Sequence, residues 1–170
     1  WPVPVAGRVV LDVGASTGGF TEICLSRGAM RVYAVDVGRD QLHPSLAGDP
    51  RVVELSGTDA RVLDATLIPD PPDLIVTDVS FISLAKALPA ALALAEEGAD
   101  LVALVKPQFE VGRDKVGKGG IVKDAAVRQA ALEVVAGWLE GEGWSVRETG
   151  DSPVTGGDGN HEFLLWARKA

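Results

Sequence analysis

The sequence predicts a doubly wound α/β fold, a mostly parallel Rossmann-like sheet that closes with a final antiparallel strand. Three observations predict it. Apolar runs of about five residues alternate with helical segments, the pattern of a sheet whose strands are buried on both faces. A glycine-rich turn follows the first of these runs. The last two β-like runs have no helix between them, so they form a hairpin-like antiparallel pair at the sheet edge, an ending that a dinucleotide-binding Rossmann dehydrogenase lacks.

Taken in order, VVLDV predicts a strand over 9–13 and the glycine turn opens a helix over 18–27. RVYAVD and VVEL predict strands over 31–36 and 52–55, with a short turn after Asp59. LIVTD predicts a strand over 74–78, followed by a helix over 83–96. DLVALV predicts a strand over 100–105, and a helix spans 124–142. The closing strands occupy 144–148 and 162–168, joined by a Gly/Pro-rich rim over 152–160.

A chain of 170 residues suits one α/β domain over 1–170 with a full core. The longest apolar stretch, 84–105, is broken by Glu96, Glu97 and Asp100, which argues against a membrane span. The start, WPVPVAG, has neither the basic nor the apolar region of a signal peptide. A lone Cys24 excludes an internal disulfide and fits a reducing cytoplasm; its apolar helical setting makes it a core residue. His43 and His161 lack ligand spacing with any other metal-binding side chain, so no metal is expected and both are read as structural. The net charge of −8 opposes phosphate binding. Locally the balance reverses: between Lys106 and Lys123 lie five cations and two acids.

Four motifs carry chemistry. In LDVGASTGGF, Gly14 permits a tight turn and close ligand approach, while Gly18 and Gly19 let the helix start beside the sheet. The spacing G-x-x-x-G-G departs from the dinucleotide fingerprint. Asp36, about twenty residues on, sits where an acid accepts hydrogen bonds from both ribose hydroxyls of an adenosyl ligand. Asp59 in GTDAR is either a ligand contact or a helix N-cap. Asp78 ends one strand, Lys106 ends the next and Glu162 begins the last, so the three gather at the carboxyl edge of the sheet. A lysine at the end of so apolar a run needs pairing; the group is either a structural ion-pair cluster or a base with its tuning groups. The glycine-rich segment 108–123 follows this strand as a mobile loop over the site, or as a plain connector.

LDVGASTGGFTEICLSRGA, VYAVDVG, TDVSFISL, LVKPQFEVGRDKVGKGGIVKD and GNHEFLL together resemble the TlyA family, whose members are known as haemolysins and as FtsJ-like rRNA 2′-O-methyltransferases. The resemblance implies the class I S-adenosylmethionine-dependent methyltransferase fold. It implies S-adenosylmethionine as cofactor, held by Asp12, Gly14, Ala15, Ser16, Thr17, Gly18, Gly19 and Phe20, by Asp36 and Val37, by Asp59 and Ala60, and by Asp78. It also implies that Asp78, Lys106 and Glu162 are the last three members of a Lys-Asp-Lys-Glu tetrad. The family's first lysine and its small N-terminal RNA-binding domain would precede Trp1, so the chain is expected to be the catalytic part of a longer protein. The implied partner is ribosomal RNA, at cytidine 2′-hydroxyls, with Arg113, Lys115, Lys118 and Lys123 touching phosphates. Lys106 would act as base, a role that requires the neutral amine.

Three other classes compete. A domain that holds S-adenosylmethionine without turnover shares every binding motif. A nucleotide-dependent oxidoreductase shares the glycine turn and Asp36 but has no use for Asp78, Lys106 and Glu162. A membrane-active haemolysin would need a spanning helix, a basic amphipathic helix or alternating barrel strands, and the sequence offers none of these.

Overall fold

The computed structural model describes residues 1–153 and 159–170. Among them, strands β1 (Val9–Val13), β2 (Arg31–Val35), β3 (Val52–Leu55), β4 (Leu74–Thr77), β5 (Asp100–Val105), β6 (Trp144–Asp151) and β7 (Phe163–Lys169) form one sheet. Its order is β3-β2-β1-β4-β5-β7-β6. The first five strands pair parallel. β7 enters antiparallel between β5 and β6, as the missing crossover helix predicts. The chain winds outward from β1 to β3, then restarts at β4 on the other side of β1. The reversal opens a crevice at the carboxyl ends of β1 and β4, where such sheets bind ligands.

Strand periodicity sorts the core into two layers. Val10, Val32, Ala34 and Val76 face α1 (Gly19–Ser26) and α2 (Pro44–Ala47), where Cys24, Leu25 and Leu46 meet them. Leu11, Val13, Ile75 and Leu101 face α3 (Leu84–Ala87), α4 (Pro89–Leu94) and α6 (Ala125–Gly141), where Leu84, Leu92, Leu132, Val135 and Leu139 meet them. Cys24 is in the core as expected, and burial pushes its thiol up to about 12. No helix among the described residues is long and apolar enough to cross a membrane.

The helix expected over 83–96 is two helices, α3 and α4. Pro89 has no N–H to continue the ladder and its ring crowds the preceding turn. α2 and α5 (Pro107–Glu110) are too short for periodicity to register. α2 depends on Pro44 in its first turn and on the Ser45 N–H donating to His43 Nδ1 at 3.2 Å. β6 extends three residues past its expected end, with a bulge between Val146 and Glu148. Most of the Gly/Pro-rich rim expected over 152–160 lies outside the described residues.

One polar cluster ties the amino end of the sheet. Asp100 has no exposed surface. Its carboxylate accepts from Arg8 Nη1 and Trp166 Nε1 at 2.7 Å each, and from Arg168 Nε at 3.1 Å. Arg8 also donates to the Asp73 carbonyl at 2.9 Å, which links the starts of β1 and β4. This places Arg8 at the end of the sheet opposite the crevice. Burial pushes the Asp100 carboxyl up, but the donors from Trp166, Arg8 and Arg168 outweigh it and hold the group below the usual carboxylate range. Its stabilising contribution is therefore full above the unfolded-state value and is lost as pH falls through the lower folded one. Asp100→Ala leaves the half-buried Arg8 and Arg168 and the buried Trp166 indole N–H without their acceptor and should cost about 3 kcal/mol at neutral pH. Urea unfolding checks this, and a loss below about 1 kcal/mol would show the cluster to be dispensable.

Candidate active site

The crevice is built around a glycine. Gly14 follows β1 with φ +83°, and a Cβ there would lie 2.5 Å from the Asp78 carbonyl oxygen. With no side chain in the way, the Gly14 and Ala15 N–H groups both donate to the Val35 carbonyl, at 2.9 and 3.0 Å. The next N–H, of Ser16, donates to Asp36 Oδ2 at 2.7 Å, and that of Gly38 donates to Oδ1 at 2.8 Å. The Asp78 N–H donates to the Val13 carbonyl at 3.1 Å. The ends of β1, β2 and β4 are thereby locked around one cavity of about 340 Å³, within the range of small-molecule sites. Of the expected ligand contacts, Gly14, Ser16, Asp36, Val37, Asp59, Ala60 and Asp78 line it.

Asp59 is also the N-cap that sequence reasoning left open. It caps the short turn Ala60–Val62, accepting from the Arg61 N–H at 2.9 Å. The Arg61 side chain bonds the same carboxylate at 2.7–3.1 Å and holds it down to about 2.

Other expected contacts lie elsewhere. Asp12 shares the strand parity of Val10, so its side chain faces α1 and has no exposed surface. It accepts from Thr21 Oγ1 at 2.7 Å, while its Oδ1 is buried without a partner. Burial pushes this carboxyl up to about 7 against the Thr21 hydrogen bond. Ala15 is buried and lines a small side recess. Thr17, Gly18, Gly19 and Phe20 do not line the main cavity. Gly18 is needed for another reason, since a Cβ there would meet Leu46 Cδ1 at 2.3 Å. A Cβ on Gly19 would meet nothing within 4 Å, so close packing of the helix start rests on Gly18 alone.

The expected grouping at the carboxyl edge forms only in part. Lys106 Nζ pairs with Asp78 Oδ1 at 2.5 Å and donates to Ser80 Oγ at 3.1 Å. The lysine side chain is 13% exposed and that of Asp78 43%, so the pair is buried at one end and open to the cavity at the other. Glu162 does not pair with Lys106. It is buried just before β7, and its Oε2 accepts from Gln108 Nε2 at 3.0 Å. The α5 turn directly after Lys106 puts Gln108 between them in sequence and takes the acid for itself. Arg113, Lys115, Lys118 and Lys123 are all exposed, and among the described residues none joins an ion pair or lines the cavity. Their segment contains two tight turns, Arg113–Lys115 and Lys118–Gly120. It therefore does not form the cavity wall that a loop over the site would supply.

Sequence reasoning missed Gln41, Ser80, Phe81 and Ile82 in the lining. Phe81 is 89% exposed with φ 65°, a costly conformation for a bulky residue. Its ring rests on Phe109, with centroids 4.9 Å apart. The signal was present as an aromatic residue three positions after a strand-ending aspartate. His43 caps α2, and His161 Nε2 lies 2.9 Å from Asp151 Oδ1. Among the described residues, no three His, Cys, Asp or Glu side chains could jointly hold a metal ion.

Comparison with known proteins bears on this geometry. Residues 2–169 match a family described as FtsJ-like methyltransferase. The chain is 51% identical over 166 residues to the 16S/23S rRNA (cytidine-2′-O)-methyltransferase TlyA of Mycobacterium tuberculosis, covering 98% of this chain and 62% of that protein. It is 39% identical to Hemolysin A of Brachyspira hyodysenteriae, covering 95% of this chain and 68% of that protein. A Lactococcus lactis structure that carries the provisional name hemolysin superposes with a TM-score of 0.95 at 41% identity, covering 99% of this chain and 81% of that one. An O-methyltransferase from Bacillus cereus, solved with SAH, shares the fold at a TM-score of 0.64 and 18% identity, covering 95% of this chain and 74% of that one. The chain thus spans about three fifths of the length of its M. tuberculosis relative.

A half-buried carboxyl braces the site. Glu110 of α5 accepts the Leu84 N–H at 2.9 Å, tying the segment after Lys106 to the start of α3. Burial pushes its carboxyl up to about 7, with the Leu84 hydrogen bond opposing. A raised folded-state value means that stabilisation is full below the unfolded value and is lost as pH rises through about 7. Glu110→Gln should therefore reduce the decline in stability between roughly pH 5 and pH 8. Urea midpoints across that window measure it, and a decline as steep as the wild type's would sink the assignment.

Proposed function

The chain belongs to the FtsJ-like methyltransferase family, and from that premise we propose that it uses S-adenosylmethionine to methylate a ribose 2′-hydroxyl of ribosomal RNA. The observation that carries the reading is Lys106, held by Asp78 and Ser80, two residues that line the cavity containing Asp36. The names of relatives point to cytidine as the target. Residues 1–170 act as one catalytic domain, working in the cytoplasm on ribosomal RNA or ribosomal subunits.

The residues present fit the methyl donor. Asp36 and Asp78 are acceptors for hydroxyl groups and counter-charges for a cation, while Val37, Ala60 and Ile82 offer apolar walls for a flat base. Val37 is 72% exposed beside Asp36, which leaves its face open for that contact. Backbone N–H groups orient Asp36 before any ligand arrives, so little ordering is required on binding. S-adenosylmethionine supplies a methyl group on a cationic sulfur, already activated for transfer.

The protein's task is then to position and deprotonate the hydroxyl. Lys106 Nζ takes the 2′-hydroxyl proton, and the paired Asp78 carboxylate balances the positive charge that forms there. Ser80 Oγ fixes the direction of Nζ. A target nucleotide must leave its stack to reach Nζ, and Phe81 offers the exposed ring on which the freed base stacks. Arg113, Lys115, Lys118 and Lys123 supply the positive charge for phosphates that the acidic remainder of the chain lacks.

A second reading, a donor-binding domain without turnover, is favoured by Glu162 facing Gln108 in place of Lys106. Calorimetric titration with S-adenosylmethionine, followed by transfer assays on unmodified ribosomal RNA, separates the two. Lys106→Ala should retain donor binding and lose transfer by a hundredfold or more, on the order of 10²–10⁴ for a lost general base. Transfer left intact in that variant would refute the base assignment. Phe81→Ala should raise the RNA KM roughly 5- to 150-fold, the equivalent of roughly 1–3 kcal/mol for a lost stacking partner. An unchanged KM would remove Phe81 from substrate recognition.

A further inference from the structure

The basic segment is fastened at both ends to two residues separated by a single position, Asn160 and Glu162. At its start, Gln108 Nε2 donates to Glu162 Oε2 at 3.0 Å, a contact between positions 54 apart in sequence. At its end, the Asn160 side chain uses both faces of its amide. Its Oδ1 accepts the Val122 N–H at 3.0 Å, and its Nδ2 donates to the Gly120 carbonyl at 2.8 Å. Asn160 has no exposed surface. A buried primary amide in this position does work that an apolar residue could not, because the Val122 N–H and the Gly120 carbonyl would each lose a partner.

Between these two fastenings lie Arg113, Lys115 and Lys118, and Lys123 follows immediately. The last turn is closed by the Gly117 N–H donating to the Ile121 carbonyl at 2.8 Å. Arg128 of α6 donates to the carbonyls of Val122 and Lys123 at 3.2 and 2.9 Å, holding the exit. Within the turns that carry Lys115 and Lys118, the Lys115 N–H donates to the Gly112 carbonyl and the Gly120 N–H donates to the Gly117 carbonyl. Force applied to the cations therefore passes into the body of the protein at Arg128 of α6 and at Asn160, which lies two residues before Glu162.

We propose that Asn160 is a positioning residue that couples phosphate engagement by the basic segment to the placement of Glu162 at the transfer site. This rests on the reading of the chain as an RNA methyltransferase. RNA seated on Lys118 and Lys123 pulls the 117–122 turn against Asn160. The 160–162 stretch moves with it, and the Gln108–Glu162 bond re-registers toward Lys106, the partner that Glu162 lacks before RNA arrives. Donor binding is independent of this linkage, because neither Asn160 nor the basic segment lines the donor cavity.

The test is a double-mutant cycle between Asn160→Ala and Lys118→Ala, read by transfer to unmodified ribosomal RNA and by hydrogen exchange with and without that RNA. Both single variants should bind S-adenosylmethionine as the wild type does. Asn160→Ala should lower kcat tenfold or more with a smaller change in KM. Lys118→Ala should lower kcat in the wild-type background and change only KM once Asn160 is gone. RNA should slow exchange of 117–122 and 160–163 together in the wild type, and of 117–122 alone in Asn160→Ala. If Asn160→Ala fails to bind the donor, Asn160→Asp replaces it in the same cycle, since it keeps the shape and the acceptor for Val122. Independent, multiplicative effects of the two substitutions, or RNA protection of 117–122 without 160–163 in the wild type, overturn the coupling. A wild type that shows joint protection but transfers no methyl group would instead overturn the proposed activity and leave the linkage standing.

Discussion

The missing side chain of Gly14 allows three strand ends to converge. The carbonyl of Asp78 occupies the space a Cβ would need, which lets β4 close on β1 while two successive N–H groups grip the end of β2 through Val35. From that contact follow the direction of the Ser16 N–H, the orientation of Asp36 and the place of Asp78 at the cavity rim. A methyl group at position 14 would push Asp78 away, and with it the partner of Lys106. Backbone sterics at one residue thus set the electrostatics of the site.

The two ends of the sheet handle charge in opposite ways. At the amino end, Asp100 is wholly buried, and three donors from β7 and from the start of β1 satisfy it. These donors engage both oxygens of the buried carboxylate, so the cluster acts as a structural brace. At the carboxyl end, Lys106 meets one carboxylate and one hydroxyl while Asp78 is open to the cavity. Each oxygen of Asp36 accepts one backbone N–H and keeps further acceptor capacity at the cavity it lines. Incomplete satisfaction at an accessible edge distinguishes a site that can bind from a brace that cannot.

The chain's acidity fits this arrangement. A cavity rimmed by Asp36, Asp59 and Asp78 suits a cationic small molecule and repels phosphate. The exposed cations of 113–123 stand apart from that cavity. Separation keeps the acidic cavity and the basic segment from cancelling each other's field.

The sequence by itself determined the strands, the reversed ending, the glycine turn and the arrival of Asp36, Asp78 and Lys106 at one edge. These follow from local rules: apolar runs bury, alternation assigns faces, and parallel strands share a carboxyl end. Strand parity applied to Asp12 would also have turned it toward α1, and the break at Pro89 was legible as a proline within an apolar helix. Only tertiary structure decided that Glu162 belongs to Gln108, that Asn160 grips a turn 40 residues away, and that Phe81 stands exposed on Phe109. Such contacts join segments whose spacing carries no period. Which donor meets which acceptor depends on how the layers pack, and a buried polar group takes the partner that packing brings within reach.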